Sequence, residues 1–167
     1  AAAFSQAVAA RQKGGIVAVA TDSRPTGPAI ADIIIRVLIS RGLGVKFSGV
    51  TAVPELLSAV QTDGAISGFA YVSASHNPVG YNGVKFGFSD GAVAGGEDSA
   101  KLIASFKEII ASTEVGAIAD LIDRADPTEL KGVYDGLSAW KALTARSYAG
   151  FALRVASNST EIGRAHV

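Results

Sequence analysis

Ser75, His76 and Asn77 stand in a row, and Lys85 follows ten positions after the serine. A serine hydroxyl is a poor nucleophile at its own pKa, so it needs a base or a phosphoryl chemistry matched to it. His76 can take or give a proton near neutral pH. Lys85 can set positive charge against phosphoryl oxygens as charge develops on them. Pro78 fixes the chain on one side, and Gly80 and Gly83 permit tight turns or close approach by a phosphate. A second polar cluster, Thr21-Asp22-Ser23-Arg24-Pro25-Thr26-Gly27, offers Arg24 as a fork for a phosphate or for a structural carboxylate. By residue type alone these are suggestive only. Neighbouring side chains diverge, so Ser-His-Asn is not a hydrolase triad, and no Gly-x-Ser-x-Gly elbow is present. A polar turn with a surface histidine explains the same letters.

The elements around the two clusters give them a common place. Three apolar runs, Ile16–Ala20, Val45–Phe47 and Gly68–Val72, read as strands of a parallel sheet. Ala29–Ser40 lies between the first two. Its charges at Asp32 and Arg36, opened by Pro28 and closed by Gly42, predict a helix with Ile33, Ile34, Val37 and Leu38 toward the sheet. Pro54–Val60 predicts a second, shorter helix. Strand-helix-strand-helix-strand is a layered α/β unit, whose right-handed crossovers bring the loops after the strands to one edge. Both polar clusters follow parallel strands and are expected at that edge. Val84–Phe88 is a fourth strand, reached through a loop too short for a crossover helix, so it should run antiparallel to the third. The predicted fold is therefore a three-layer α/β domain with a mixed, mostly parallel four-stranded sheet, its last strand antiparallel.

Downstream, Ala100–Ile110 is an amphipathic helix with Leu102, Ile103, Phe106 and Ile109 on one face. Gly95-Gly96 before it reads as a turn. Asp126-Pro127-Thr128 opens a predicted helix over Glu129–Ala145, where Leu130, Val133, Tyr134, Leu137 and Trp140 keep a spacing near 3.6. Tyr134 and Trp140 are expected in the core or at a domain interface. Phe151–Ala156 could be a further helix or strand, and Ser157–Val167, which holds His166, shows no pattern.

The chain has 167 residues, 49% hydrophobic and 18% charged, with fifteen basic against fifteen acidic side chains. That length suits one domain, or one domain and the start of another. Zero formal charge gives no support to nucleic acid or an anionic membrane as partner. No run of eighteen apolar residues suggests a membrane span. Cysteine is absent, which excludes thiol catalysis, disulfides and cysteine metal sites and is compatible with a reducing, cytoplasmic setting. Methionine is also absent, so the chain is expected to be a fragment or a processed product.

Four stretches together resemble the first domain of the α-D-phosphohexomutases, the phosphoglucomutase and phosphomannomutase family. Ser73-Ala74-Ser75-His76-Asn77-Pro78 resembles the family's phosphoserine loop, and Tyr81-Asn82-Gly83-Val84-Lys85 the motif that follows it. Asp22-Ser23-Arg24 resembles the segment after the first long strand, and Val53-Pro54-Glu55-Leu56 a turn between them. The resemblance implies that Ser75 carries a transferable phosphoryl group and that His76 and Lys85 serve proton transfer and charge stabilisation. It further implies that Asn77, Arg24 and Asp22 support the loop. The implied reaction interconverts hexose 1- and 6-phosphates through a hexose 1,6-bisphosphate. The implied cofactor is Mg2+, bridging the Ser75 phosphate and aspartates of a second domain.

Departures from the family pattern bear on what this chain can do. The opening Gly-Thr-x-Gly-x-Arg segment, the three-aspartate metal loop, the sugar-recognition motif and the last phosphate loop are not found. Asp120–Asp126 (DLIDRAD) lacks the metal spacing, and Asp123-Arg124 reads as a solvated surface. Thr21 stands where many relatives have a larger or basic residue. Residues 1–125 are expected to form the first domain, and 126–167 a helical extension or the start of a second. Such a piece would supply the serine to an isomerase, its partners being hexose phosphates and the remaining domains, and would itself be nearly inactive. Two other readings remain: a phosphosugar-binding or structural domain without turnover, and a serine hydrolase.

Overall fold

The computed structural model describes residues 1–12, 14–112 and 115–158; His166 and the rest of the patternless tail from 159 lie outside them. Strands β1 (Ile16–Thr21), β2 (Gly44–Val50), β3 (Ile66–Val72) and β4 (Val84–Phe88) form one sheet in the order β2-β1-β3-β4. β1 is parallel to both neighbours, whereas β3 and β4 are antiparallel with Tyr71 opposite Lys85. The expected mixed sheet is present.

Alternation along the central strand β1 explains why it is buried from Val17 to Thr21. Val17 and Val19 face a cluster containing Phe4, Val8, Ile35 and Leu38, from α1 (Ala2–Arg11) and α2 (Gly27–Ser40). Ala18 and Ala20 face the other layer, with Leu56, Ala59 and Val60 of α3 (Val53–Thr62) and with Phe69 and Tyr71. A strand covered on both faces needs apolar residues at nearly every position, as IVAVAT supplies. Two glycines make room for aromatic rings. A methyl group on Gly87 would lie 2.2 Å from the Phe69 ring, and one on Gly68 would lie 3.1 Å from the tip of Phe4.

Several local expectations need correction. Ile33 does not face the sheet: it is 46% exposed, and Ile35 takes the fully buried position. The Asp32–Arg36 pair forms as expected at 2.7 Å. The amphipathic helix is α4 (Gly96–Ala111), but none of its residues is buried, and Ile103 and Phe106 remain more than half exposed. With α1 and α2 it borders an open apolar groove of about 630 Å³. Two helices, α1 and α5 (Val115–Asp123), have no counterpart in the sequence reading. Asp120 and Arg124 pair at 3.7 Å on an exposed surface, as a solvated face requires.

The single helix expected over 129–145 is two, α6 (Pro127–Asp135) and α7 (Leu137–Asn158), with Gly136 between them. Phe151–Ala156 continues α7 and is not a separate element. The break has a topological reason. Leu130, Val133 and Leu137 pack against the α1/α2 layer's cluster, whereas Trp140 and Leu143 pack against the α3 layer's. The chain thus passes around edge strand β2 at Gly136 and seals it, a use of helices that protects an exposed strand edge. Tyr134 is 39% exposed and packs edge-on against Phe47, its hydroxyl donating to Asp32 Oδ1 at 2.6 Å.

Asp126 caps α6, its carboxylate accepting from the amides of Thr128 and Glu129 at 2.9 Å each. Asp126→Ala is therefore expected to cost about 1 kcal/mol, read as a lower urea midpoint at unchanged slope. Retention of the wild-type midpoint would show that α6 is not part of the unfolding unit.

Candidate active site

β1 and β3 are adjacent and parallel, so the segments leaving their C-terminal ends emerge side by side. Pairing continues just past each strand. The Asp22 amide donates to the Val72 carbonyl at 2.9 Å, and the Ser73 amide donates to the Gly83 carbonyl at 2.9 Å. The second bond closes residues 73–83 into a loop at the sheet edge where open α/β folds bind ligands.

Within the loop, Ser75 adopts φ +56°, a left-handed conformation unusual for a residue with a side chain. Its amide donates to Ser73 Oγ at 3.1 Å, and the Asn77 amide donates to the Ala74 carbonyl at 3.1 Å. The result projects Ser75 outward. Its hydroxyl is solvent-exposed and lies 3.1 Å from His76 Nδ1. Asn77 contributes to the loop through its backbone.

Arg24 reaches in from the β1 end. Its Nε donates to Asp22 Oδ2 at 3.0 Å, and its terminal nitrogens donate to the carbonyls of Ser75, Asn77, Pro78 and Tyr81. The fork thus holds a structural carboxylate, one of the two partners expected for it. Asp22 also accepts from the Arg24 amide at 3.1 Å. Burial would raise the Asp22 carboxyl, but hydrogen bonds from Ser73 and from the backbone and side chain of Arg24 outweigh it. The group is held below the ordinary aspartate range.

Lys85 is half-buried on β4, directly across from Tyr71 and two residues beyond the bond that closes the loop. Tyr71 anchors the end of β3 by donating its hydroxyl to the Thr51 carbonyl at 2.9 Å. Burial pushes this phenol up, and the charges of Asp22 and Glu55 push the same way. Glu55 pairs with Lys141 of α7 at 3.3 Å. Thr21 is buried against Gly27, and its Oγ1 has no partner among the described residues.

Ser73, Asn82 and Thr26 contribute to the site without having drawn a role from the sequence. Ser73 supplies the hydroxyl that holds the Ser75 amide. Asn82 donates from Nδ2 to Thr26 Oγ1 at 2.8 Å while its Oδ1 accepts from the Gly83 amide at 3.0 Å. All three lie inside the polar clusters, and only the distances between segments reveal their work. Among the described residues, no group of three or more histidine, aspartate or glutamate side chains could hold a metal ion. The site's own carboxylate, Asp22, is committed to Arg24 and Ser73. These residues alone do not fit a cation cage. No helix among the described residues is long and apolar enough to cross a membrane.

Comparison with known proteins places this arrangement. Residues 1–113 match the family model described as phosphoglucomutase/phosphomannomutase, alpha/beta/alpha domain I. The chain is 42% identical over 76 residues to the phosphoglucosamine mutase of Lacticaseibacillus casei (strain BL23), a match covering 46% of this chain and 16% of that protein. Among solved structures, a Thermus thermophilus protein assigned to the phosphomannomutases superposes with a TM-score of 0.57 at 34% identity, over 62% of this chain and 23% of that one. A phosphoglucomutase/phosphomannomutase family protein from Burkholderia thailandensis gives 0.55 at 28% identity, over 65% and 24%. The matches thus span less than a quarter of the length of these relatives. With the sheet order, the loop after β3 and the family match in agreement, the chain belongs to the phosphoglucomutase/phosphomannomutase family and carries its alpha/beta/alpha domain I.

Proposed function

We propose that this chain is the phosphoryl-carrying domain of a longer cytoplasmic hexose-phosphate mutase, with residues 1–125 as domain I and the catalytic serine at Ser75. The observation that carries the reading is the outward-facing Ser75 hydroxyl on a left-handed backbone, 3.1 Å from an imidazole nitrogen. In the forward half-reaction a free sugar hydroxyl attacks the phosphorus of phosphoserine. The new O–P bond forms on the sugar, the Ser75 Oγ–P bond breaks, and the sugar hydroxyl's proton passes to His76. Hexose 1,6-bisphosphate results, and Ser75 Oγ takes a proton from water as it leaves. In the return half-reaction Ser75 Oγ attacks the phosphorus of the other phosphoryl group and gives its proton to water. The sugar O–P bond of that group breaks, the freed sugar oxygen takes the proton held by His76, and phosphoserine is regenerated as the isomeric monophosphate leaves. Lys85 would offset charge on the transferring oxygens, and Asp22, Arg24 and Asn77 would hold the loop. Mg2+ belongs with carboxylates that these residues do not supply, so no step is assigned to it. The names of the relatives support a hexose phosphate as the substrate class.

The test is covalent. The full-length polypeptide, incubated with a hexose 1,6-bisphosphate and magnesium, is expected to gain one phosphate, mapped by peptide mass to Ser75. An acyl adduct at Ser75 with acyl substrates would favour a hydrolase. Absence of phosphate at Ser75 after that incubation would overturn the proposal.

A further inference from the structure

An arginine beside a phosphoserine loop invites assignment as a phosphate ligand, but the geometry of Arg24 points elsewhere. We infer that Arg24 is a positioning residue whose guanidinium is fully spent on the loop backbone and on Asp22, leaving no donor for a phosphate. A guanidinium carries five N–H groups in a fixed fork. Nε donates to Asp22 Oδ2 at 3.0 Å. Nη1 donates to the Pro78 carbonyl at 2.5 Å and the Tyr81 carbonyl at 3.2 Å. Nη2 donates to the Ser75 carbonyl at 3.1 Å and the Asn77 carbonyl at 2.6 Å. Five donors meet five acceptors, and the side chain is only 11% exposed. A phosphate oxygen could bind only by displacing a carbonyl and unfolding the loop it is meant to use.

The consequence falls on Ser75. Its carbonyl is held by Arg24 and its amide by Ser73 Oγ, so both flanking peptide units are fixed and the left-handed backbone is imposed from outside. Four carbonyls between residues 75 and 81 converge on one planar cation, which sets the curvature of the whole loop. Asn82 adds a second strut from Thr26 to the Gly83 amide. The loop is therefore assembled before any phosphate arrives, and phosphate charge must be met by other groups. A lysine at this position cannot substitute. It has three donors radiating from one atom, which cannot span carbonyls on both sides of a planar fork.

The geometric inference stands on its own, but its catalytic meaning rests on the proposed role of Ser75. The test uses the 167-residue chain labelled with nitrogen-15, as wild type, Arg24→Ala and Arg24→Lys. Amide exchange at Ser75 and Gly83 is expected to rise about tenfold or more in both variants, with β1 and β3 amides unchanged. Guanidinium ion at a non-denaturing concentration should restore protection in Arg24→Ala and leave Arg24→Lys loose. If Arg24→Ala does not fold, Arg24→Lys alone carries the exchange measurement. Titrating inorganic phosphate into the wild type should leave the Arg24 Nε–H resonance unmoved. Wild-type exchange at Ser75 in either folded variant, or a phosphate-induced shift at Arg24, overturns the inference. Loss of protection in the variants together with no phosphate at Ser75 in the full-length polypeptide would retain the clasp and reject the carrier role.

Discussion

Ser75→Ala in the full-length polypeptide is expected to abolish phosphate uptake and turnover together, with kcat falling by at least about 10³-fold. The size of the effect follows from the lack of a substitute on the loop. Ser73, the other loop serine, is 8% exposed and already accepts the Ser75 amide. It cannot take over without releasing the backbone that presents the site. The substitution should leave the fold nearly unchanged. Alanine and serine meet similar steric difficulty at φ +56°, and the hydroxyl that is lost contacts His76 at the exposed surface. A stability within about 0.5 kcal/mol of wild type in urea would accordingly separate chemistry from unfolding. Turnover within tenfold of wild type, with the fold intact, would place the chemistry on another group.

The parts of this domain legible in the sequence are those whose signal is local. β4 is readable to the residue, since VKFGF is bounded by Gly83 and a polar turn. The antiparallel return follows from a loop too short for a crossover. α2 is readable from Asp32 and Arg36, although its apolar richness hides which isoleucine faces inward. The crowded apolar side chains of AIADIIIRVLIS leave the phase of the helix poorly fixed, and packing selects Ile35 over Ile33. α1 leaves little signal because AAFSQAVAAR is nearly all small, its large anchors being Phe4 and Val8. The active loop is legible as a motif and illegible as a construction. Arg24 binds four carbonyls, and carbonyls are the same at every residue, so no pattern of letters announces them. The break at Gly136 is hidden for a related reason. Apolar periodicity runs through it unbroken, and only the edge of β2, supplied by residues far earlier in the chain, makes it turn.

That wrapping makes Trp140→Ala the most destabilising single substitution we expect outside the central strands. Trp140 is 6% exposed within the cluster of Ala18, Ala20, Leu56, Phe69 and Tyr71, and Lys46 lies over its ring at 4.6 Å. The small alanines of β1 leave room in this layer that the indole helps to fill, so truncation opens a cavity lined by rigid strand residues with little means of collapse. Tryptophan-to-alanine changes at such positions cost about 3–5 kcal/mol. Trp140→Phe should cost distinctly less. It retains a ring and removes an indole N–H that is buried without a partner among the described residues, relieving a desolvation penalty that the wild type carries. Urea unfolding followed by both fluorescence of the remaining aromatics and far-ultraviolet dichroism would measure this. The two substitutions also decide how residues 126–158 relate to the domain before them. If α6 and α7 belong to its cooperative unit, Trp140→Ala shifts one shared transition seen by both probes. If they begin a separately folding domain, the substitution costs under about 1 kcal/mol and the main transition stays in place.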